Sequence, residues 1–104
     1  MKLIECEKLV KELFEKHNLI DYKFEWKKRL VKWSCAGSCN YKKKIITLQP
    51  TYVEKNDIKE IKNTILHEIA HALMPKHKHN KFWKRKATEI GCTGSRTYSS
   101  KVIK

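Results

Sequence analysis

The five residues His67-Glu68-Ile69-Ala70-His71 decide how this 104-residue chain is interpreted. Residues four apart on an α-helix lie on the same face, so the two imidazoles can bind one metal ion. Glu68 lies about 100° round the helix from His67, because each residue advances the helix by that angle. A carboxylate in that position flanks the ion without occupying it and can accept a proton from a water molecule on the metal. The pattern therefore predicts a catalytic zinc site with Glu68 as the general base.

The residues around this motif predict a helix over residues 57–74 that also builds the core. Asp57, with Glu60 three residues later, is typical of a helix start, and Pro75 disfavours helical angles in the residue before it. The apolar residues of this helix are Ile58, Ile61, Ile65, Leu66, Ile69, Ala70 and Leu73. They form an arc opposite the two histidines. We therefore expect one side of the helix to pack inward while the histidine side faces a polar cleft.

Residues 1–18 and 22–48 carry two different hydrophobic patterns. In residues 1–18 apolar side chains recur every three to four positions, which predicts an amphipathic helix that ends near Asn18. In residues 22–48 apolar and charged side chains alternate around a turn-forming stretch, so we expect two or three antiparallel strands. Pro50 ends this β-hairpin region. The helix is expected to cover one face of the sheet.

A third helix is predicted over residues 80–91, with Phe82 and Trp83 among its apolar residues. Gly91 is typical of the position just past a helix end, because glycine adopts a positive φ without strain. Residues 92–104 are polar and are expected to form a C-terminal tail. A chain of this length is one domain. The patterns predict an α+β fold, in which a small antiparallel sheet of two or three strands packs with three helices and the motif lies on the central one.

The composition favours a polyanionic partner. Lys and Arg number 24 against 11 Asp and Glu, which gives a formal net charge of +13. Such a field attracts nucleic acid before any specific contact forms, although a lysine-rich composition can also reflect the base composition of a genome. Residues 1–10 mix charged with apolar side chains, unlike a secretory signal, and no apolar run is long enough to span a membrane. We therefore expect an intracellular monomer with no membrane partner.

Four cysteines are expected to be free thiols, because an intracellular compartment disfavours disulfides. They are Cys6, Cys35, Cys39 and Cys92. Cys35 and Cys39 have a spacing that could hold a metal ion, but a structural site needs four ligands, and only Cys6 and Cys92 remain to complete it. We therefore favour small packing residues around a turn over a second metal site.

A catalytic zinc site needs a third protein ligand beside an open position for water. The candidates are His77, His79 and Glu89. Pro75 ends the motif helix, so the following loop can turn back, and His79 is favoured because its backbone would be anchored at the start of the third helix. His77 lies in mid-loop between two lysines. Glu89 lies about 15 Å along the third helix from His79, so the two cannot both be ligands.

Three segments of the sequence together resemble one protein family. The segments are His67-Glu68-Ile69-Ala70-His71-Ala72-Leu73, Lys76-His77-Lys78-His79-Asn80-Lys81-Phe82-Trp83 and Ala87-Thr88-Glu89-Ile90-Gly91-Cys92. Their order is similar to that of the SprT-like metallopeptidase domain, the family of the Spartan and Wss1 proteases. In that family a histidine followed by glycine is the third zinc ligand, an aromatic residue follows four positions later, and an Ile-Gly or Leu-Gly pair closes the segment. His79, Trp83 and Ile90-Gly91 match this order, and Asn80 replaces the glycine. Ala36-Gly37-Ser38-Cys39 resembles the family's hairpin, and no zinc ribbon is evident after Cys92.

The resemblance implies a zincin-like minimal protease domain that binds one Zn²⁺ ion. The ligands would be His67, His71 and His79, and Glu68 would take a proton from the zinc-bound water and deliver it to the leaving amine. An oxyanion donor is also needed, and three candidates stay open. They are Tyr98, Arg96 and His77. An exposed edge of the small sheet could align an extended protein substrate by strand addition.

Basic residues close to the motif connect this resemblance to the net charge. The candidates for DNA contact are Lys76, Lys78, Lys81, Lys84, Arg85, Lys86 and Trp33. Cations follow phosphates and aromatic rings stack on unpaired bases, so single-stranded or junction DNA is the expected partner. The interpretation is a DNA-associated zinc metalloendopeptidase of DNA repair that cleaves proteins bound or crosslinked to DNA. The alternatives are a general intracellular zinc peptidase without DNA dependence and a non-catalytic zinc-containing nucleic-acid-binding module.

Overall fold

The computed structural model describes residues 1–28, 36–74 and 80–92. Within these ranges the chain forms four helices and three strands. In chain order they are α1 (Leu3–Lys16), β1 (Lys23–Trp26), β2 (Gly37–Asn40), β3 (Ile45–Leu48), α2 (Pro50–Lys55), α3 (Ile58–Leu73) and α4 (Lys81–Glu89). The predicted α+β class is confirmed, and the His-Glu-x-x-His motif lies on α3. No helix in this described part of the chain has the length and apolar character needed to cross a membrane.

The three strands form a mixed sheet in the order β1-β3-β2. β2 and β3 are antiparallel, and in the turn between them the Asn40 side chain accepts a hydrogen bond from the Lys43 amide (3.0 Å). β1 pairs in parallel with β3, so the prediction of a wholly antiparallel sheet is wrong for this strand. Alternation identifies a strand and its buried face but not its partner, because the side-chain period is two in both kinds of pairing.

One face of the sheet builds the core. Phe24 and Trp26 of β1 lie in register with Ile46 and Leu48 of β3, and both β3 side chains are fully buried. The indole nitrogen of the half-buried Trp26 donates a hydrogen bond to the Glu7 carboxylate of α1 (2.7 Å). This bond ties α1 to the sheet, and it makes Trp26 a packing residue.

α1 ends as its sequence predicts. Asn18 has a positive φ of 58°, its amide donates to the Glu15 carbonyl (3.3 Å), and the Leu19 amide donates to the Phe14 carbonyl (2.8 Å). These two bonds form a Schellman motif, which satisfies carbonyls that have no partner within the helix. Asparagine tolerates the left-handed conformation better than most residues, so it can end α1 where glycine is otherwise common.

α2 is a short helix that the sequence patterns do not predict. Pro50 ends the sheet as expected, but it also occupies the start of α2, where its missing amide costs no helical hydrogen bond. Tyr52 is fully buried, and its hydroxyl shares a 2.6 Å hydrogen bond with the hydroxyl of Thr64 on α3. Because α2 has only six residues, it is too short to show a helical period.

α3 begins at Asp57, whose carboxylate accepts a hydrogen bond from the Glu60 amide (3.0 Å), as the cap prediction requires. Its inward side is apolar as predicted. The fully or almost fully buried apolar residues are Ile61, Ile65, Leu66, Ile69 and Ala70. Ile58 is 59% exposed, so its assignment to the core is wrong. It lies in the first turn of α3.

α4 ends in a second Schellman motif. Gly91 has a φ of 101°, its amide donates to the Thr88 carbonyl (3.1 Å), and the Cys92 amide donates to the Ala87 carbonyl (2.8 Å). Gly91 therefore ends the helix as predicted. Two backbone hydrogen bonds fix this end of the helix, and they require a residue that adopts a positive φ without strain.

Candidate metal centre

α3 brings His67, Glu68 and His71 together near its C-terminal end. The possible ligand atoms of the three side chains all lie within 4.8 Å of one another. The Nε2 atoms of His67 and His71 are 3.3 Å apart. Two nitrogen ligands at the usual zinc distance in a tetrahedral arrangement would be about 3.4 Å apart. The histidine pair therefore already has the separation that one bound zinc ion requires.

His67 and Glu68 are buried, with 6% and 4% of their surface exposed, and His71 is half-buried. The sequence predicts that this face of the helix looks into a polar cleft, so the site is more enclosed than expected. A buried carboxylate favours a nearby cation, because an uncompensated charge in the interior is costly. Two imidazoles beside a carboxylate are also donors that zinc accepts. The residues present therefore fit a zinc ion.

β2 lies against Glu68 and partly encloses it. A Cβ atom added to Gly37 would lie 3.5 Å from Glu68 Cγ, 2.8 Å from Leu48 Cδ2 and 2.9 Å from the Thr47 carbonyl oxygen. Any larger residue would therefore collide with β3, and its Cβ atom would be in ordinary van der Waals contact with the Glu68 side chain. The sequence patterns do not assign Gly37 to the site. The available signal is the glycine itself, since glycine within a strand is typical of a close approach by another element.

Cys39, two residues after Gly37, points to the same face of β2. Burial and, to a smaller extent, the negative charge of Glu68 raise the pKa of the Cys39 thiol to about 12. The thiol is therefore protonated at neutral pH, where it is hydrogen-bonded with Tyr22. The free thiols of the described residues are Cys6, Cys39 and Cys92, and Cys35 lies outside these residues.

α4 contacts both imidazoles through Trp83. The indole centroid lies 4.8 Å from that of His67, with 66° between the ring planes. It lies 5.1 Å from that of His71, with 29° between the planes. Trp83 thus stacks on one ring, meets the other edge to face, and is itself fully buried. Sequence periodicity places Trp83 on the inner side of α4 but does not indicate that it contacts both histidines.

Asn80 fixes the start of α4. Its side-chain oxygen accepts hydrogen bonds from the amides of Phe82 and Trp83, both 3.1 Å long. Its backbone is extended, with φ −84° and ψ −176°, so this position does not need the positive φ that glycine allows. Asparagine is among the best N-cap residues, so it fits where the resembled family has glycine.

Several predicted site residues lie outside the described part of the chain. They are Trp33, Lys76, His77, Lys78, His79, Arg96 and Tyr98. The structure describes the alternative third ligand, Glu89, and does not place it with the motif. Its side chain is 63% exposed and forms an ion pair with Lys86 (3.4 Å). Glu89 lies six positions after Trp83, which puts the two on different faces of α4.

The basic residues of α4 face solvent to different extents. Lys81, Lys84 and Arg85 are exposed, whereas Lys86 is half-buried and is paired with Glu89. Within the described ranges, the one group of side chains able to hold a metal ion is the trio of the α3 motif. A structural role of Cys39 in a second metal site therefore has no support from the described residues.

A helix that carries His-Glu-x-x-His, with both imidazoles set for one ion and a small sheet packed beside it, defines the protein as a metallopeptidase. A model of the SprT-like family matches residues 5–102. The chain therefore belongs to the SprT-like family, and the resemblance seen in its motifs is confirmed. No curated protein sequence matches the chain.

Two solved structures share this fold. The metallopeptidase zymogen of Pyrococcus abyssi abylysin aligns with a TM-score of 0.63 and 20% sequence identity, over 82% of this chain and 87% of that one. The metallopeptidase zymogen of Methanocaldococcus jannaschii jannalysin aligns with a TM-score of 0.68 and 21% identity, over 81% of this chain and 79% of that one. At such identities the similarity shows a common fold, and the predicted zincin-like architecture is confirmed.

Proposed function

We propose that this protein is a zinc-dependent metalloendopeptidase in which His67, His71 and His79 bind the ion and Glu68 is the catalytic base. The observation that carries the proposal is the 3.3 Å separation of the His67 and His71 Nε2 atoms beside the buried Glu68 carboxylate. This separation is long for a hydrogen bond between ring nitrogens and close to that of two tetrahedral zinc ligands.

The position of His79 in the chain supports its role as the third ligand. It directly precedes Asn80, and consecutive Cα atoms are about 3.8 Å apart. Asn80 caps α4 through the amides of Phe82 and Trp83, and Trp83 contacts both motif histidines. The start of α4 is thus anchored next to the motif, one residue after His79. His77 is two residues further from this anchor, so fewer contacts would restrict its side chain.

Glu68 is placed to move protons during peptide hydrolysis. A bound zinc ion would supply a Lewis acid that polarises the scissile carbonyl and activates water. The Glu68 carboxylate lies beside the ligand atoms of both histidines, so it can accept a proton from the attacking water and return it to the leaving amine. Gly37 of β2 lies beside this side chain, since a Cβ atom at that position would be 3.5 Å from Glu68 Cγ. The candidate oxyanion donors are Tyr98, Arg96 and His77.

A Glu68→Gln substitution tests this proposal. The variant keeps the shape of the side chain but loses the base, so it should bind one equivalent of Zn²⁺ while turnover falls by about 10²- to 10⁴-fold. Metal analysis and cleavage of an unstructured basic protein measure the two properties, with chelator-treated wild type as the metal-free control. His71→Ala should lose both zinc and turnover. Undiminished turnover in Glu68→Gln would refute the assignment of the base.

We also propose that the natural substrates are proteins bound or crosslinked to single-stranded or junction DNA. Lys81, Phe82 and Arg85 share the outer side of α4, away from Trp83. Phe82 is 46% exposed, and the Lys81 ammonium lies 5.3 Å from its ring centroid. An exposed aromatic ring among cations suits stacking on an unpaired base together with phosphate contact. Because Trp83 of the same helix contacts the motif, DNA on this face would present its bound protein close to the metal centre.

A general intracellular peptidase without DNA dependence is the second candidate. The wide distribution of lysines favours it, since exposed lysines also lie on the other three helices of the described residues. They include Lys8 and Lys11 on α1, Lys55 on α2, and Lys59 and Lys62 on α3. Single-stranded DNA should stimulate cleavage of a DNA-bound protein under the first proposal and leave the rate unchanged under this one. A non-catalytic zinc module would instead retain every function in Glu68→Gln.

A further inference from the structure

Trp83 contacts the two motif histidines from a different helix. Its indole lies nearly parallel to the His71 ring and steeply inclined to the His67 ring, with centroid distances of 5.1 and 4.8 Å. Both arrangements are favourable for aromatic pairs. One rigid ring therefore contacts two side chains whose orientation decides whether their Nε2 atoms can share an ion. The imidazoles also contact each other, with centroids 4.9 Å apart, so the three rings form one cluster.

Trp83 itself is held by the fold. It is fully buried, and its amide donates a hydrogen bond to the Asn80 side chain (3.1 Å). Ala87, one turn further along α4, is also fully buried, so this side of the helix is packed against the core. The indole can therefore act as a fixed surface for the histidines. A side chain with its own rotational freedom would not restrain them in this way.

We infer that Trp83 is a positioning residue that holds His67 and His71 in their metal-binding arrangement and thereby raises the affinity of the site for Zn²⁺. The inference rests on the proposed zinc peptidase function and adds a residue that touches neither metal nor substrate. Without the indole, each imidazole would sample rotamers in which the two Nε2 atoms point apart, and only a fraction of molecules would be ready to bind. Residues that orient metal-ligating histidines typically change metal affinity by about 10- to 100-fold.

Zn²⁺ titration of Trp83 variants tests the inference. Trp83→Leu fills much of the volume but cannot stack, so its Zn²⁺ affinity, measured by competition with a chromogenic chelator, should fall about 10- to 100-fold. Trp83→Phe keeps a ring and should recover most of the affinity. With Co²⁺ in place of zinc, the visible absorption per bound ion reports ligand geometry, and it should change in Trp83→Leu and not in Trp83→Phe.

Ile61→Ala separates positioning from loss of packing. Ile61 is fully buried on α3, nearly two turns before His67, so its truncation weakens the core without freeing the rings. The Zn²⁺ affinity of Ile61→Ala should stay within about threefold of that of the wild type. Thermal unfolding of the metal-free proteins shows whether Ile61→Ala and Trp83→Leu lose similar amounts of stability. Equal affinity in Trp83→Leu and wild type would overturn the inference, as would equal weakening in Trp83→Leu and Ile61→Ala. Wild-type protein that binds no Zn²⁺ would refute the proposed function as well, so the two failures are distinguishable.

Discussion

His67 and His71 share a helix face because they are four residues apart, but the 3.3 Å between their Nε2 atoms also depends on the orientation of each ring. Spacing in the sequence therefore predicts the pair of donors and leaves their mutual geometry open. The same holds for Glu68, whose position in the motif indicates its chemical role. Its 4% exposure results from the packing of other elements around it.

Gly37→Ala is predicted to damage catalysis through Glu68. The added methyl would lie 2.8 Å from Leu48 Cδ2 and 2.9 Å from the Thr47 carbonyl, so β2 must shift, and with it the contact to Glu68. We expect a loss of about 1–3 kcal/mol in the free energy of unfolding from overpacking, together with a fall in kcat at saturating zinc. Urea unfolding and steady-state kinetics measure the two effects.

Gly91→Ala is the matched control for that substitution. Gly91 has a φ of 101°, so alanine is strained there and should cost about 1–2 kcal/mol of stability. The nearest atom to an added Cβ is Leu66 Cδ1 at 3.7 Å, which is ordinary contact. This variant should keep its kcat. If both alanine variants lose kcat equally, Gly37 has no special relation to the site.

At the scale of the elements, helix ends are well predicted and sheet pairing is not. The caps at Asp57 and Gly91 and the end of α1 at Asn18 follow from hydrogen bonds within a few residues, so the local sequence is sufficient. β1 pairs in parallel with β3, although β2 lies between them in the chain. The alternation of apolar and polar side chains does not indicate which strands pair. α2 is missed because a helix of six residues leaves no periodic signal.

The N-cap of α4 can be tested by exchanging Asn80. Asn80→Ala removes the acceptor for the Phe82 and Trp83 amides and should cost about 1 kcal/mol in the free energy of unfolding, measured in urea. Asn80→Gly restores the residue of the resembled family and should cost only about a few tenths of a kcal/mol, because glycine is an acceptable cap residue. The cap explanation fails if glycine is as damaging as alanine.

For the molecule as a whole, the net charge of +13 attracts polyanions such as DNA. If α4 contacts the DNA phosphates, removing three of its positive charges should weaken binding to a single-stranded oligonucleotide. The affinity should also depend less on the salt concentration. For a variant with alanine at Lys81, Lys84 and Arg85, the slope of log affinity against log salt should become shallower by about 2. Fluorescence anisotropy over a salt series measures this slope.

A second triple variant with alanine at Lys55, Lys59 and Lys62 is the matched control. It removes the same charge from α2 and the N-terminal half of α3, whereas the motif lies near the C-terminal end of α3. Its affinity and salt slope should stay closer to those of the wild type. Equal losses in both variants would mean that charge acts without a defined site, and a flat salt response in the wild type would remove the case for phosphate contact.

Spacings and hydrogen bonds within a few residues are sufficient to predict the motif helix, its N-terminal cap and the amphipathic α1, and the order of the motifs is sufficient to recognise the family. The contacts between elements are visible only in the folded chain: β1 runs parallel to β3, a Cβ atom at Gly37 would contact Glu68, and Trp83 stacks on His71. These contacts join elements that are far apart in the chain. They form when separate faces bury one another, and no local periodicity specifies which residues then meet.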